Sequence, residues 1–140
     1  MHGLKNWFSK YFKLKSTDSL IIVGKVVEWQ KHPNADRLRI VKLDTGSGIV
    51  EPVVCGATNF DVGDNVVFAL PGAHIPRSHH DPEPKPFTLQ KAVIRGVESQ
   101  GMICSAYELG LSDTPGDGIM TLDPTLKLGS PFSATMFSHG

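Results

Sequence analysis

Apolar residues recur at helical spacing near the start of the chain. Leu4, Trp7, Phe8, Tyr11, Phe12 and Leu14 fall on one stripe, and Lys5, Lys10, Lys13 and Lys15 fill the positions between. That pattern predicts an amphipathic helix of about three turns. A helix this short is marginal alone, so its aromatic stripe is expected to pack on its own domain or a partner chain. A membrane-surface anchor is the alternative. Ser16-Thr17-Asp18-Ser19 reads as a polar linker.

From Leu20 the period changes to that of strands. Leu20–Trp29 is rich in β-branched residues, and Arg37–Asp44 alternates charged Arg37, Arg39 and Lys42 with apolar Leu38 and Ile40. Further strands are predicted at Ile49–Cys55, Val66–Leu70 and Phe87–Arg95, with short ones at Met102–Ser105 and Gly118–Leu122. Pro52 cannot donate to a ladder, which puts its strand at an edge or a bulge. Turn chemistry fills the connectors: Asp44-Thr45-Gly46-Ser47-Gly48, Val62-Gly63-Asp64-Asn65, Pro71-Gly72 and the Asp113–Gly118 run. Short strands with Gly/Pro turns and no alternating helices argue for an all-β sandwich or small barrel. Five main strands suit the five-stranded Greek-key barrel called the OB-fold, though spacing does not separate it from other small barrels. The expected layout is residues 1–19 as helix and linker, 20–132 as the barrel domain and 133–140 as a tail.

Composition narrows the class. The 140 residues are 40% hydrophobic and 20% charged, as in a globular domain. Fourteen Lys/Arg balance fourteen Asp/Glu, which argues against a uniformly basic surface. The balance is uneven along the chain: residues 1–42 hold nine Lys/Arg against three acids, an excess that the remainder cancels. One face is therefore a candidate for an anionic partner, and a merely solvated basic face is the alternative. No apolar run is long enough to span a bilayer, and no secretory signal opens the chain. A cytoplasmic location with no membrane partner is expected. Cys55 and Cys104 are too few for a disulfide scaffold and form no Cys-x-x-Cys pair, so they read as reduced, half-buried residues.

Three segments are more specific: His32-Pro33-Asn34-Ala35-Asp36-Arg37-Leu38, leading into Val41–Gly46; Val54-Cys55-Gly56-Ala57-Thr58-Asn59; and Lys91–Ser105 with Arg95-Gly96 and Ser99-Gln100-Gly101-Met102. In this order they resemble the tRNA-binding domain in the N-terminal region of the bacterial phenylalanyl-tRNA synthetase β subunit. Related domains end methionyl-tRNA synthetases and occur as free-standing tRNA-binding proteins and in a cytokine-like synthetase cofactor. The resemblance covers about residues 20–132. Asn6–Tyr11 and Ser105–Leu111 are similar to segments of the β subunit itself. That subunit has a longer module before its barrel, and its editing and catalytic-like domains would lie beyond this chain. An excised piece, a truncated paralogue and a free-standing binder all stay open.

The resemblance implies an OB-fold and tRNA as partner. The residue types fit phosphate gripping. Pro33 biases His32 to an extended state, and Asn34 and Asp36 can hold a turn. Lys31, Arg37 and Arg39 supply cations. Asn59 suits either a turn or a nucleotide edge. Lys91, Val93 and Arg95 would share one strand face, with Ser99 adding a hydroxyl and Gly96 and Gly101 admitting close approach of a ligand. Glu98 would pair with Arg95. Met102 fits core or contact. Trp29, Phe60, Phe68 and Phe87 could stack on unpaired bases; Trp29, at a strand end, is the best candidate, while Phe68 and Phe87 read as core. Such contacts would read tRNA by shape, with weak dependence on base identity.

No nucleophile–base–orienter set and no Gly-Lys-Ser/Thr phosphate loop is visible, so no catalytic residue is assigned and the chain is not expected to be an enzyme on its own. His79, His80, Asp81 and Glu83 lie in a proline-rich loop and match no ligand spacing, so neither a metal nor another cofactor is expected. The competing reading is a protein-interaction or dimerisation module of a synthetase assembly.

Overall fold

A computed structural model describes residues 19–79, 81–116 and 118–136. The helix expected from Leu4 to Leu14 lies outside them. The described chain is all-β and antiparallel: β1 (Ile21–His32), β2 (Ala35–Asp44), β3 (Ile49–Cys55), β4 (Asn65–Ala69), β5 (His74–Ile75), β6 (Phe87–Thr88), β7 (Ala92–Ile94), β8 (Val97–Ser99), β9 (Met102–Ile103) and β10 (Thr121–Leu122). One 3-10 turn follows at Ala134–Met136.

The main sheet runs β10-β4-β1-β2-β3, with β9 also on β4. β1 serves two partners. Its first half pairs with β4 (Ile21↔Ala69 to Lys25↔Asn65), and its second half pairs with β2 (Lys25↔Asp44 to His32↔Ala35). A register shift between Val26 and Glu28, just past Lys25 which pairs with both, bends the strand. Pro52 lies opposite another shift, between Val41 and Leu43 of β2, where its missing N–H costs no ladder bond. The sheet then curls onto itself. Gln100 N–H donates to Pro52 O of β3 at 2.9 Å, and two residues later Met102 pairs with Ala69 of β4. This closure gives the OB-like barrel.

The first half of β1 and most of β4 are apolar on both sides because both sides are covered. Ile22, Val26, Val66 and Phe68 point into the barrel with Val41, Leu43, Val53 and Ile103. Their alternates Ile21, Val23, Val67 and Ala69 face outward under Ile75, Leu89, Met120 and Phe132. The chain after β4 thus forms a second layer. Gly101 allows the seam to close: a Cβ there would come 2.5 Å from the Phe68 ring and 2.6 Å from Ala69 O. Its lack of a side chain admits the core.

Three expected elements are redrawn. β1 and β2 are longer than Leu20–Trp29 and Arg37–Asp44, so the His32–Ala35 motif is the tip of one hairpin and Trp29 lies inside β1. Phe87–Arg95 is two strands: β6 pairs with β5, and β7 pairs with β8. Arg95 (φ 54°) and Gly96 (φ 91°) form the two-residue turn between β7 and β8, the positive-φ pair that matches strand twist. Arg95 therefore does not continue the alternation of Lys91 and Val93.

Candidate nucleic-acid interface

Two hairpin tips meet at one end of the barrel. The His32 ring is buried at 3% exposure. Its Nδ1 accepts from Asn34 N–H at 2.9 Å, which puts the ring proton on Nε2, and Nε2–H donates to Ile94 O at 2.9 Å. Asn34 Nδ2 donates to Arg95 O at 3.1 Å. One histidine and one asparagine thus tie the β1–β2 tip to the β7–β8 tip. Pro33 and Asn34 are the kind of residues that turn a chain tightly, and His32 can bond in two directions.

This joint sets exposed Arg95 against the tip of the β1–β2 hairpin, whose strands carry exposed Lys31 and Arg37. Among the described residues, none of the three has an ion-pair partner; the ion pairs there are Lys42 with Glu28 and Glu51, and Arg77 with Asp113. Glu98 does not pair with Arg95 but takes the amide of Gln100 at 3.3 Å. A non-glycine residue at positive φ is strained, and such strain persists where surroundings hold it. Here the hydrogen bond from Asn34 holds Arg95 at the tip. Lys91 is also exposed but sits at the other end of β7, roughly 13 Å along an extended chain from Arg95.

The other expected contacts are committed elsewhere. Ser99 is 3% exposed; its hydroxyl accepts from Val54 N–H (2.9 Å) and donates to Gly101 O (2.8 Å), fastening β8 to β3. Buried and satisfied, it has no hydroxyl left for RNA. Asn59 is exposed, but its amide clamps one peptide: Nδ2 donates to Ile119 O (2.8 Å) and Oδ1 accepts from Ile119 N–H (3.0 Å). The amide thus holds a segment 60 residues away and not a local turn. Arg39 lies 3.6 Å over the Trp29 ring and 4.9 Å over the Phe60 ring, and donates to Phe60 O at 2.7 Å. This stack occupies one face of the half-buried Trp29, whose Nε1–H donates to Asp61 at 3.0 Å. That bond, more than any other influence, holds the Asp61 carboxyl below its ordinary range. Phe68 is core and Phe87 half-buried against the outer cluster.

Met102 is half-buried and lines a groove of about 620 Å³ that sequence reasoning missed. Leu38, Phe87, Leu89, Ile94 and Ile103 form apolar walls, and Gln90, Ser105 and Glu108 bring polar atoms. Ser105 and Glu108 cap each other: Glu108 Oε1 accepts from Ser105 N–H (2.9 Å) and Oγ–H (3.0 Å), and Glu108 N–H donates to Ser105 Oγ (3.1 Å). The Ser-x-x-Glu spacing was the available signal. Cys55 on the groove wall and Cys104 behind it are buried free thiols. Desolvation pushes the Cys55 thiol up to about 11 and Cys104 well above its ordinary value, with Glu108 adding to both shifts.

Among the described residues, no three His, Cys, Asp or Glu side chains gather to hold a metal. None of their helices is long and apolar enough to cross a membrane.

Residues 21–131 match the sequence family described as "Putative tRNA binding domain". Similar proteins include the phenylalanine–tRNA ligase β subunit of Chlorobaculum tepidum, 47% identical over 122 residues, covering 87% of this chain and 14% of that protein. The β subunit of Bdellovibrio bacteriovorus is 41% identical over 113 residues, 81% of this chain and 13% of its own length. That of Dehalococcoides mccartyi is 50% identical over 109 residues, 78% and 13% respectively. The chain therefore spans about a seventh of the curated relatives it matches.

Proposed function

The chain belongs to the tRNA-binding domain family, and on that premise we propose that it grips tRNA by its sugar–phosphate outline through the joined hairpin tips. The observation that supports this is the Asn34–Arg95 and His32–Ile94 pair of hydrogen bonds, which join the tip carrying Arg95 to the hairpin carrying Lys31 and Arg37, three cations with no ion-pair partner among the described residues. Lys91 extends the cationic surface along β7. Phosphate contacts fix position and shape while carrying little sequence information. Residues 20–132 act as the binding domain, with 1–19 before it and 133–140 after it. It works in the cytoplasm as a non-catalytic part of a phenylalanyl-type synthetase β subunit or beside one. The ligation chemistry belongs to other domains.

Binding should weaken steeply as salt rises, because each neutralised phosphate releases counterions. Filter binding of unmodified tRNA transcript at low and moderate salt, with Arg95→Ala and Lys91→Ala alongside, tests this. Affinity should drop for both variants, more for Arg95→Ala. A flat salt response with unchanged variants overturns the reading.

A further inference from the structure

The groove beside the tips has a chemistry that phosphate gripping does not use. Its walls are apolar: Leu38, Phe87, Ile94 and Met102. Each flank carries a cation next to a wall residue in sequence. Arg37 precedes Leu38, Lys91 precedes Ala92, and Arg95 follows Ile94; the three cations are exposed while Leu38, Ala92 and Ile94 line the groove. An apolar slot with a cationic rim is complementary to a nucleotide: a flat base inside, phosphates outside.

Two polar side chains give the slot a direction. Glu108 spends Oε1 on Ser105 N–H and Oγ–H, and Oε2 has no hydrogen-bond or ion-pair partner among the described residues. An ionised carboxylate only accepts, so Oε2 offers two acceptor sites and no donor. Gln90 is exposed at the same groove, and its amide makes no hydrogen bond among the described residues. Guanine is the base whose Watson–Crick edge sets two N–H donors, N1–H and N2–H, beside one carbonyl, O6. Adenine and cytosine each place a ring-nitrogen acceptor beside one amino group, and uracil flanks a single N–H with two carbonyls; each would turn an acceptor toward the carboxylate.

We propose that this groove takes one unpaired guanine of the bound RNA, with Glu108 accepting from N1–H and N2–H, Gln90 donating to O6, and Phe87 and Met102 against the ring. The proposal deepens the tRNA-gripping reading and rests on it for the source of the base. It adds base identity to a contact otherwise set by shape, because unpaired bases are what proteins read on RNA.

The test is methyl-detected NMR of the full chain with guanosine 5′-monophosphate, then adenosine 5′-monophosphate, and binding of uridine pentamers carrying a single central G or A. Guanosine monophosphate should move the methyl signals of Ile94, Met102 and Ile103, and adenosine monophosphate should not. The G pentamer should bind about tenfold tighter than the A pentamer, the usual scale for one well-matched base edge. Glu108→Gln should erase that preference while leaving the salt dependence of tRNA binding in place. Its amide oxygen can still serve Ser105, and Gln90→Ala, at an exposed side chain, gives a second variant that should weaken the preference severalfold. Salt- and Arg95-dependent tRNA binding with silent groove methyls, or equal response to G and A, overturns the guanine site and leaves the cationic reading standing. Guanine-selective shifts with no tRNA binding support the site and overturn the cationic reading instead.

Discussion

The stretch Lys91–Ser105 holds two regions that behave oppositely. Its first half, Lys91 to Gly96, is exposed and ends in a strained turn that points a free guanidinium outward. Its second half, Ser99 to Cys104, is the buried seam where β3 meets β4. At the tip a side chain is placed by hydrogen bonds to its backbone and keeps its own charge for a ligand. At the seam the Ser99 hydroxyl is already consumed by Val54 N–H and the Gly101 carbonyl. A short contiguous motif can therefore be framework at one end and contact at the other.

Perturbing the seam should have the largest effect. Gly101→Ala forces a Cβ against the Phe68 ring and the Ala69 carbonyl. The carbonyl belongs to β4 and cannot yield, so the cost should reach ~3 kcal/mol, the upper range for overpacking. Ser99→Ala should cost ~1–3 kcal/mol, since it leaves the Val54 N–H and the Gly101 carbonyl without their bonds. Urea unfolding measures both. The Ser99→Ala protein that stays folded should bind tRNA as tightly as the original; a loss of affinity at unchanged stability would move Ser99 back among the contacts.

The cysteines sharpen the contrast through pH. Burial raises the Cys55 thiol from 9.0 to about 11 and Cys104 in the same direction. The unfolded thiols ionise first, so the unfolded chain binds fewer protons between these values and folding stability falls as pH rises. The contribution is intact below about pH 9 and is lost as pH climbs toward 11. From Cys55 alone the loss should be roughly 1 kcal/mol at pH 10. Cys55→Ala should flatten the alkaline limb of a stability–pH curve measured by urea unfolding. An unchanged limb would mean that the seam does not exclude water as its packing implies.

The sequence made the sheet legible because period-two patterning and turn residues act locally. Val66–Leu70 reads as a buried strand from its composition, and Asp44–Gly48 as a turn. The joint roles of His32 and Asn34 were hidden, because their partners, Ile94 and Arg95, lie 62 and 61 residues away. The same distance problem hid the clamp of Asn59 on Ile119 and the burial of Ser99. Arg39 looked like a free cation because alternation gives a face but not the aromatic neighbours, Trp29 and Phe60, that occupy it. The groove was invisible because its walls come from β2, β3, β6, β7, β9 and the loops between, and no local pattern signals a space.

The smallest expected change in stability belongs to the tip, and it separates the two regions by sign. Arg95 holds φ 54°, where a side chain is crowded; glycine is not. Relief of that strain is worth about 1–2 kcal/mol, and glycine's larger entropy in the unfolded chain takes back about 0.5–1. Arg95→Gly should therefore leave stability unchanged or raise it by up to about 1.5 kcal/mol. The turn keeps its bond, because Asn34 donates to the backbone carbonyl of residue 95 and not to its side chain. What disappears is one positive charge. The slope of log affinity for tRNA against log salt should shrink by about one, the signature of a single lost phosphate contact. A folded, equally stable Arg95→Gly protein with an unaltered salt slope would show that the guanidinium touches no phosphate, and the division between seam and tip would then be one of burial alone.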